Sequence, residues 1–195
     1  IVCTACIAGE VPKNIIAGKY EEAEEAIQWY KRVFGDDFYL ELQRHKATVP
    51  RANHEAYKLQ QIANEKLIEY SKKYNVKLVC TNDVHFVDEE NAEAHDRLIC
   101  LSTGKDLDDP NRMLYSKQEW MKTRAEMNEI FADVPEALSN TVDICDRWSF
   151  TVSTMLRLCL LLPFRRTLEQ RKSIGKSTRK RICSMNLRRM KTAMW

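Results

Sequence analysis

No window of eighteen consecutive apolar residues occurs in the 195-residue chain. That excludes a membrane-spanning helix by the usual length argument. Seven cysteines are present, and apart from Cys3-Thr4-Ala5-Cys6 no two are spaced Cys-x-x-Cys. Scattered thiols of this kind suit a reducing cytoplasm better than a disulfide framework. The opening, Ile1-Val2-Cys3-Thr4, has neither an initiator Met nor a signal-peptide pattern. It reads as an internal start with sequence missing upstream. Gly175-Lys176-Ser177 has the look of a P-loop ending, but no upstream glycine or preceding strand accompanies it. Trp29, Tyr30 and Trp120 stand outside any basic interleaved pattern, so they read as packing anchors, not as a platform for stacked bases.

What is there, at 44% hydrophobic, suffices for a core. The net charge of +3 hides a break. Residues 147–195 hold 13 Lys and Arg against one acid, Glu169, leaving 18 basic and 27 acidic residues in 1–146. The body is therefore −9 and the tail +12. A switch of sign at one point marks a basic arm, a different domain or a foreign segment.

The body has the periodicities of an α/β fold. Gly9-Glu10-Val11-Pro12 reads as a turn. Ala23, Ala26, Ile27, Tyr30 and Phe34 fall at helical spacing and predict a helix over 20–34, stopped by Gly35. Phe38-Tyr39-Leu40-Glu41-Leu42 alternates as a strand does. A helix over 54–74 and an apolar strand from Val76 toward Asp83 follow, so strand, helix and strand form a parallel βαβ unit. Beyond His85 the strands stop. Helices are expected over 91–101 and from Pro135, with a polar turn over 106–111. Ser116-Lys117-Gln118-Glu119 matches a capping box and predicts a third helix running through Trp120, Met127 and Phe131.

Asp83 and His85 are the most informative pair. Residues two apart on an extended segment point the same way. A carboxylate and an imidazole then project together from a strand's carboxyl end, where α/β folds build their sites. Oxygen plus nitrogen is half of a Zn or Mn site; an Asp-x-His in a loop is also a common hydrogen-bonded turn. Glu41 alternates opposite Leu40 and Leu42 and falls on the other side of that strand, the lining side if the strand belongs to a barrel. His45 is a second candidate for that lining, with a loop or packing role as the alternative. His54 and His95 read as helix-start or surface residues, and Cys80 and Cys100 as core thiols.

Four segments in order carry a resemblance: Thr4-Ala5-Cys6-Ile7-Ala8-Gly9-Glu10-Val11-Pro12, Phe38 through His45, Thr81-Asn82-Asp83-Val84-His85-Phe86, and His95 through Cys100. Together they resemble the bacterial replicative DNA polymerase III alpha subunits over about residues 1–146. The resemblance implies the later part of a PHP domain, a distorted β/α barrel, over 1–90. It implies an all-helical extension toward the polymerase palm over 91–146. Cys6, Asp83 and His85 match the family's metal-ligand positions, with Zn²⁺ or Mn²⁺ as the ion. In members with a complete cluster that site supports 3′–5′ exonuclease chemistry. The polymerase site, with its Mg²⁺ and aspartates, lies beyond this chain, so no catalytic residue of DNA synthesis is expected here. The implied partners are DNA, dNTPs and other replisome subunits in the cytoplasm, with no membrane.

The resemblance ends near Arg147, and the tail is expected to be irregular or disordered. Restoring one adenine at that codon turns Asp-Arg-Trp-Ser-Phe-Thr into Asp-Lys-Val-Glu-Phe-Tyr, which continues as the family does. The tail over 147–195 is therefore expected to be out of frame; a native nucleic-acid-binding arm is the competing reading. Two other functions stand beside the polymerase segment: a non-catalytic PHP scaffold, and a free-standing PHP phosphoesterase. The helical run after 91 argues against the last.

Overall fold

The computed structural model describes residues 1–147. The expectations placed on 148–195, an irregular or disordered out-of-frame tail, lie outside the described residues. Three parallel strands form one sheet in the order β1 (Val2–Cys3), β2 (Phe38–Leu42), β3 (Lys77–Cys80). Helices α1 (Glu10–Ile16) and α2 (Tyr20–Phe34) join the first two strands, and α3 (Glu55–Tyr74) joins the second and third. After β3 the chain is helical in α4 (Ala92–Thr103), α5 (Arg124–Ile130) and α6 (Pro135–Arg147). The expected βαβ unit is β2–α3–β3, with Leu40 beside Leu78 and Leu42 beside Cys80.

The sequence explains these elements locally. Helix α2 buries Ala23 and Ile27 and turns its charged residues outward. It stops at Gly35, whose φ of 56° suits a residue without Cβ. Helix α3 is opened by Asn53, whose Oδ1 accepts from the amides of Glu55 and Ala56. Asn75, at φ 50°, closes it. Alternation along β2 sends Phe38, Leu40 and Leu42 into the core with Val11, Ile15, Leu67, Tyr70, Leu78 and Cys80. Tyr39 and Glu41 fall on the other face.

Two local readings need correction. Gly9-Glu10-Val11-Pro12 is not a turn but the start of α1, with Gly9 at the N-cap and Pro12 in the first helical turn. Pro is tolerated there because its missing N–H has no intrahelical partner to lose. A Cβ at Gly9 would stand 2.0 Å from the Thr4 carbonyl oxygen, so close approach explains the glycine. Ser116 and Glu119 do bond to each other, but they close a non-helical turn. The helix predicted from that box begins only at Arg124, under a second box made by Thr123 and Glu126. Between α4 and α5 the segment 104–123 is irregular, and within it Trp120 bridges to Phe86 in parallel fashion.

The last two helices share the core of the sheet. Phe131, Val134 and Ala137 pack in the same cluster as Leu78 and Cys80. Arg44, just beyond β2, fixes the α5–α6 elbow: it lies 5.0 Å over the Phe131 ring, donates to Ile130 O, and makes two bonds of 2.6 and 2.7 Å to Asp133. Burial raises the Cys80 thiol to about 12, which keeps it a neutral core residue. Thr81 N donates to Leu42 O, so the odd residues of β3 face β2 and the even ones face outward. Asn140 of α6 donates to the outward carbonyl of Leu78 at 2.8 Å, so a helix side chain answers part of the edge. Phe131→Ala should cost about 3–5 kcal/mol by opening a cavity. Urea unfolding of the full chain should then shift as one transition. A mutant in which α5–α6 melts separately, leaving the sheet midpoint unchanged, would show that the elbow is not part of this core.

Candidate metal centre

Strand β3 ends at Cys80, before the Asp83–His85 pair. The two side chains therefore do not converge as alternate residues of an extended strand. They converge because the backbone bends at Asp83, which has φ 43°, a left-handed conformation that non-glycine residues adopt at a cost. Asp83 Oδ1 and His85 Nε2 stand 3.6 Å apart. Two ligands held at ~2.1 Å on a tetrahedral ion would stand ~3.4 Å apart, so carboxylate and imidazole fit two positions of a Zn²⁺ shell. Among the described residues, no group of three His, Cys, Asp or Glu side chains could share one ion. The described residues thus present half a shell.

The other expected site residues are placed separately. Cys6 is half-buried and lines a small cavity with Glu41, Gln43, Gln60 and Asn64; it does not join Asp83 and His85 in a shell. Glu41 lies on the face of β2 away from the core, where its Oε1 accepts from Thr81 Oγ1 at 2.5 Å and from Gln43 Nε2 at 2.9 Å. Its backbone N–H donates to Thr4 Oγ1, so a side chain extends the β1 ladder by one bond.

His45 is buried and fully hydrogen-bonded. Gln60 accepts from the His45 amide through Oε1 at 2.7 Å, which leaves its Nε2 to donate to His45 Nδ1 at 2.9 Å. Nε2 of His45 then carries the proton and donates to Asn82 O at 3.2 Å. Burial pushes the imidazole below its ordinary pKa, opposed by the charge of Glu119. His45 is thus a neutral prop beneath the Asp83 loop.

Three residues that the sequence did not single out for a site complete the surroundings. The rings of His85, His95 and Tyr115 pack against one another with centroids 4.8–5.5 Å apart. Burial raises the Tyr115 phenol, helped by the charges of Asp83, Glu119 and Cys6. Glu119 is only 4% exposed. Its Oε1 accepts from Ser116 N and Oγ, while its Oε2 is buried with no protein partner. The Ser-x-x-Glu spacing was the available signal, but it is common to helix starts and tight turns.

The segment carrying Glu119 holds the Asp83 loop from beside it. Asn82 Nδ2 donates to Gln118 O and Trp120 O at 2.9 and 2.7 Å. The amides of His85 and Phe86 both donate to Glu119 O, and Met121 N donates to Val87 O. This strap is itself anchored on α4. Arg112 and Asp96, both buried, meet through two bonds of 2.5 and 2.9 Å, and Lys117 pairs with Glu93.

Because His45 is held neutral in the folded chain, the unfolded chain gains the proton first as pH falls. The stability from this site is complete above the unfolded pKa near 6.5 and declines as pH drops toward the depressed folded pKa. His95 is lowered too, by burial and by His85, and adds the same sign. Urea unfolding at pH 7.5 and pH 5 should show this loss, and His45→Gln should reduce the slope. An unchanged slope in that variant would mean His45 titrates alike in both states.

Comparison with known proteins follows the same lines. Residues 1–45 match the PHP domain family. The DNA polymerase III subunit alpha of Borreliella burgdorferi is 44% identical over 156 residues, covering 77% of this chain and 13% of that relative. Its counterpart from Campylobacter jejuni is 38% identical over 159 residues, covering 75% and 12%. That of Pseudomonas aeruginosa is 37% identical over 153 residues, covering 78% and 12%. The chain thus spans about an eighth of the length of the curated relatives it matches. By sequence, this chain belongs with the bacterial DNA polymerase III alpha subunits, as a segment whose first 45 residues match the PHP domain family.

Proposed function

We propose that the chain is a segment of the DNA-synthesising subunit of a bacterial replicative polymerase, in which it forms the later PHP barrel and the helices leading toward the palm. The observation that carries this reading is 44% identity over 156 residues to a polymerase alpha subunit. The parent extends primers with dNTPs and Mg²⁺ at aspartates outside this chain, among other replisome subunits and on DNA, in the cytoplasm. The segment itself contributes no polymerase residue. Among its described residues no helix is long and apolar enough to cross a membrane.

Within the parent, Asp83 and His85 supply an oxygen and a nitrogen to a Zn²⁺ or Mn²⁺ ion. Cys6 serves as a third donor only when residues outside this chain complete the barrel around it. Such an ion, when bound, activates water and stabilises charge on a phosphoryl group, as 3′–5′ exonuclease chemistry requires. What this chain does is narrower: the bend at Asp83 aims two donors, and His45 and the strap hold that bend.

We also propose that residues 147–195 are out of frame. The alignments with the relatives leave about a quarter of the chain outside, the size of the basic tail. The DNA around the coding segment tests both readings. One open frame with His-rich motifs upstream, palm motifs downstream and a missing base at the Arg147 codon is the expected result. A gene that starts at Ile1 and ends after Trp195, with codons incompatible with the shifted frame, would overturn them. Primer extension by the full-length protein, dependent on Mg²⁺ and dNTPs, checks the activity.

A further inference from the structure

We infer that Glu119 is a positioning residue for the Asp83–His85 pair, and that the strap over 112–121 is a working part of the metal loop. The inference rests on the reading of Asp83 and His85 as ligands.

Two observations converge on it. Asp83 sits at φ 43°, and Lys117, in the strap, sits at φ 66°. Both are left-handed bends at residues with a Cβ, which persist only where the surroundings over-determine them. The surroundings here are one set of bonds. The Glu119 carboxylate accepts from both the amide and the hydroxyl of Ser116, closing the turn through Lys117. Closing that turn lines up three successive carbonyls, of Gln118, Glu119 and Trp120. All three accept from the Asp83 loop: two from Asn82 Nδ2, and the middle one from the amides of His85 and Phe86. The side chain of one strap residue thus fixes the backbone that fixes the ligand loop.

The carboxylate is otherwise costly. It is 4% exposed and leaves Oε2 without a protein partner, and a buried polar atom left unpaired costs stability. An amide would serve the Ser116 turn equally well through its oxygen while removing the buried charge. That sets up a conservative rescue.

The test uses the full-length protein containing this segment, titrated with Zn²⁺ alone in metal-free buffer, with thermal midpoint and amide exchange of residues 82–87 followed in parallel. Outer support of metal ligands is typically worth about 10–100-fold in metal affinity. Glu119→Ala should weaken Zn²⁺ binding by about that factor and speed exchange at His85 and Phe86. Glu119→Gln should restore binding to near wild type. Equal affinity in Glu119→Ala, or equal loss in Glu119→Gln, would overturn the positioning role. Asp83→Ala and His85→Ala keep the two readings apart. If neither weakens Zn²⁺ binding, the ligand reading fails. The strap's hold on the loop is then judged by exchange alone, and unchanged exchange in Glu119→Ala would overturn it.

Discussion

Five hydrogen bonds between the loop after β3 and the strap after α4 join the two halves of this segment. Without them the Asp83 loop would keep only the His45 bond to Asn82 O to steady its left-handed bend. With them, the polar groups of the loop are paired to strap groups that lie 33 to 38 residues away in sequence. Such a ladder between two irregular segments needs anchors at its own ends. The strap has them in the buried Arg112–Asp96 pair on α4 and in the Phe86–Trp120 bridge. A buried ion pair is weak evidence for net stability, since desolvation offsets much of its attraction. Its two-pronged geometry does fix orientation, and that is what the strap requires.

Much of the fold could be read from periodicity because its elements obey one rule at a time. Helix α2 has a clean apolar stripe and a glycine stop, so its bounds of 20–34 agree with the expectation. Strand β2 alternates, and α3 is long enough for its period to dominate. The misses have physical causes. Strand β1 has two residues, too few for any period, and its ladder on β2 is continued by the amide and the side chain of Thr4. Helix α1 was hidden by Gly9 and Pro12, which signal turns in most contexts. Here close backbone approach demands the one, and a helix first turn accepts the other. The Ser116–Glu119 pair obeyed its local chemistry without the helix that usually goes with it.

The site was legible at its tip and not at its base. Asp83 and His85 stand out because donor side chains after an apolar strand are a chemical anomaly that the sequence displays. Their convergence, however, comes from a backbone bend, not from strand alternation, and the forces that impose the bend are long-range. Glu119 and Tyr115 come from a segment whose composition is unremarkable for a loop or helix, and His95 from within α4. Nothing in the local pattern of residues 112–121 distinguishes a strap from a connector. His45 gave a partial signal. The reading of it as packing or lining did not include its neutral tautomer, which follows only once Gln60 and Asn82 are seen to occupy both nitrogens.

The separation of 3.6 Å between Asp83 Oδ1 and His85 Nε2 has a consequence for how such a half-shell works. Two donors already near the ligand–ligand spacing of a tetrahedral ion lose little conformational freedom when the ion arrives. The free energy that would order them has been spent in folding, on the bend at Asp83, the neutral burial of His45 and the carboxylate of Glu119. A half-shell of this kind gains its affinity only when further donors close the coordination. An α/β barrel supplies them naturally, because strand ends from distant parts of the chain meet at one rim. Under the proposed metal reading the segment is a preset jaw: two donors already spaced for an ion, with the grip left to donors from outside it.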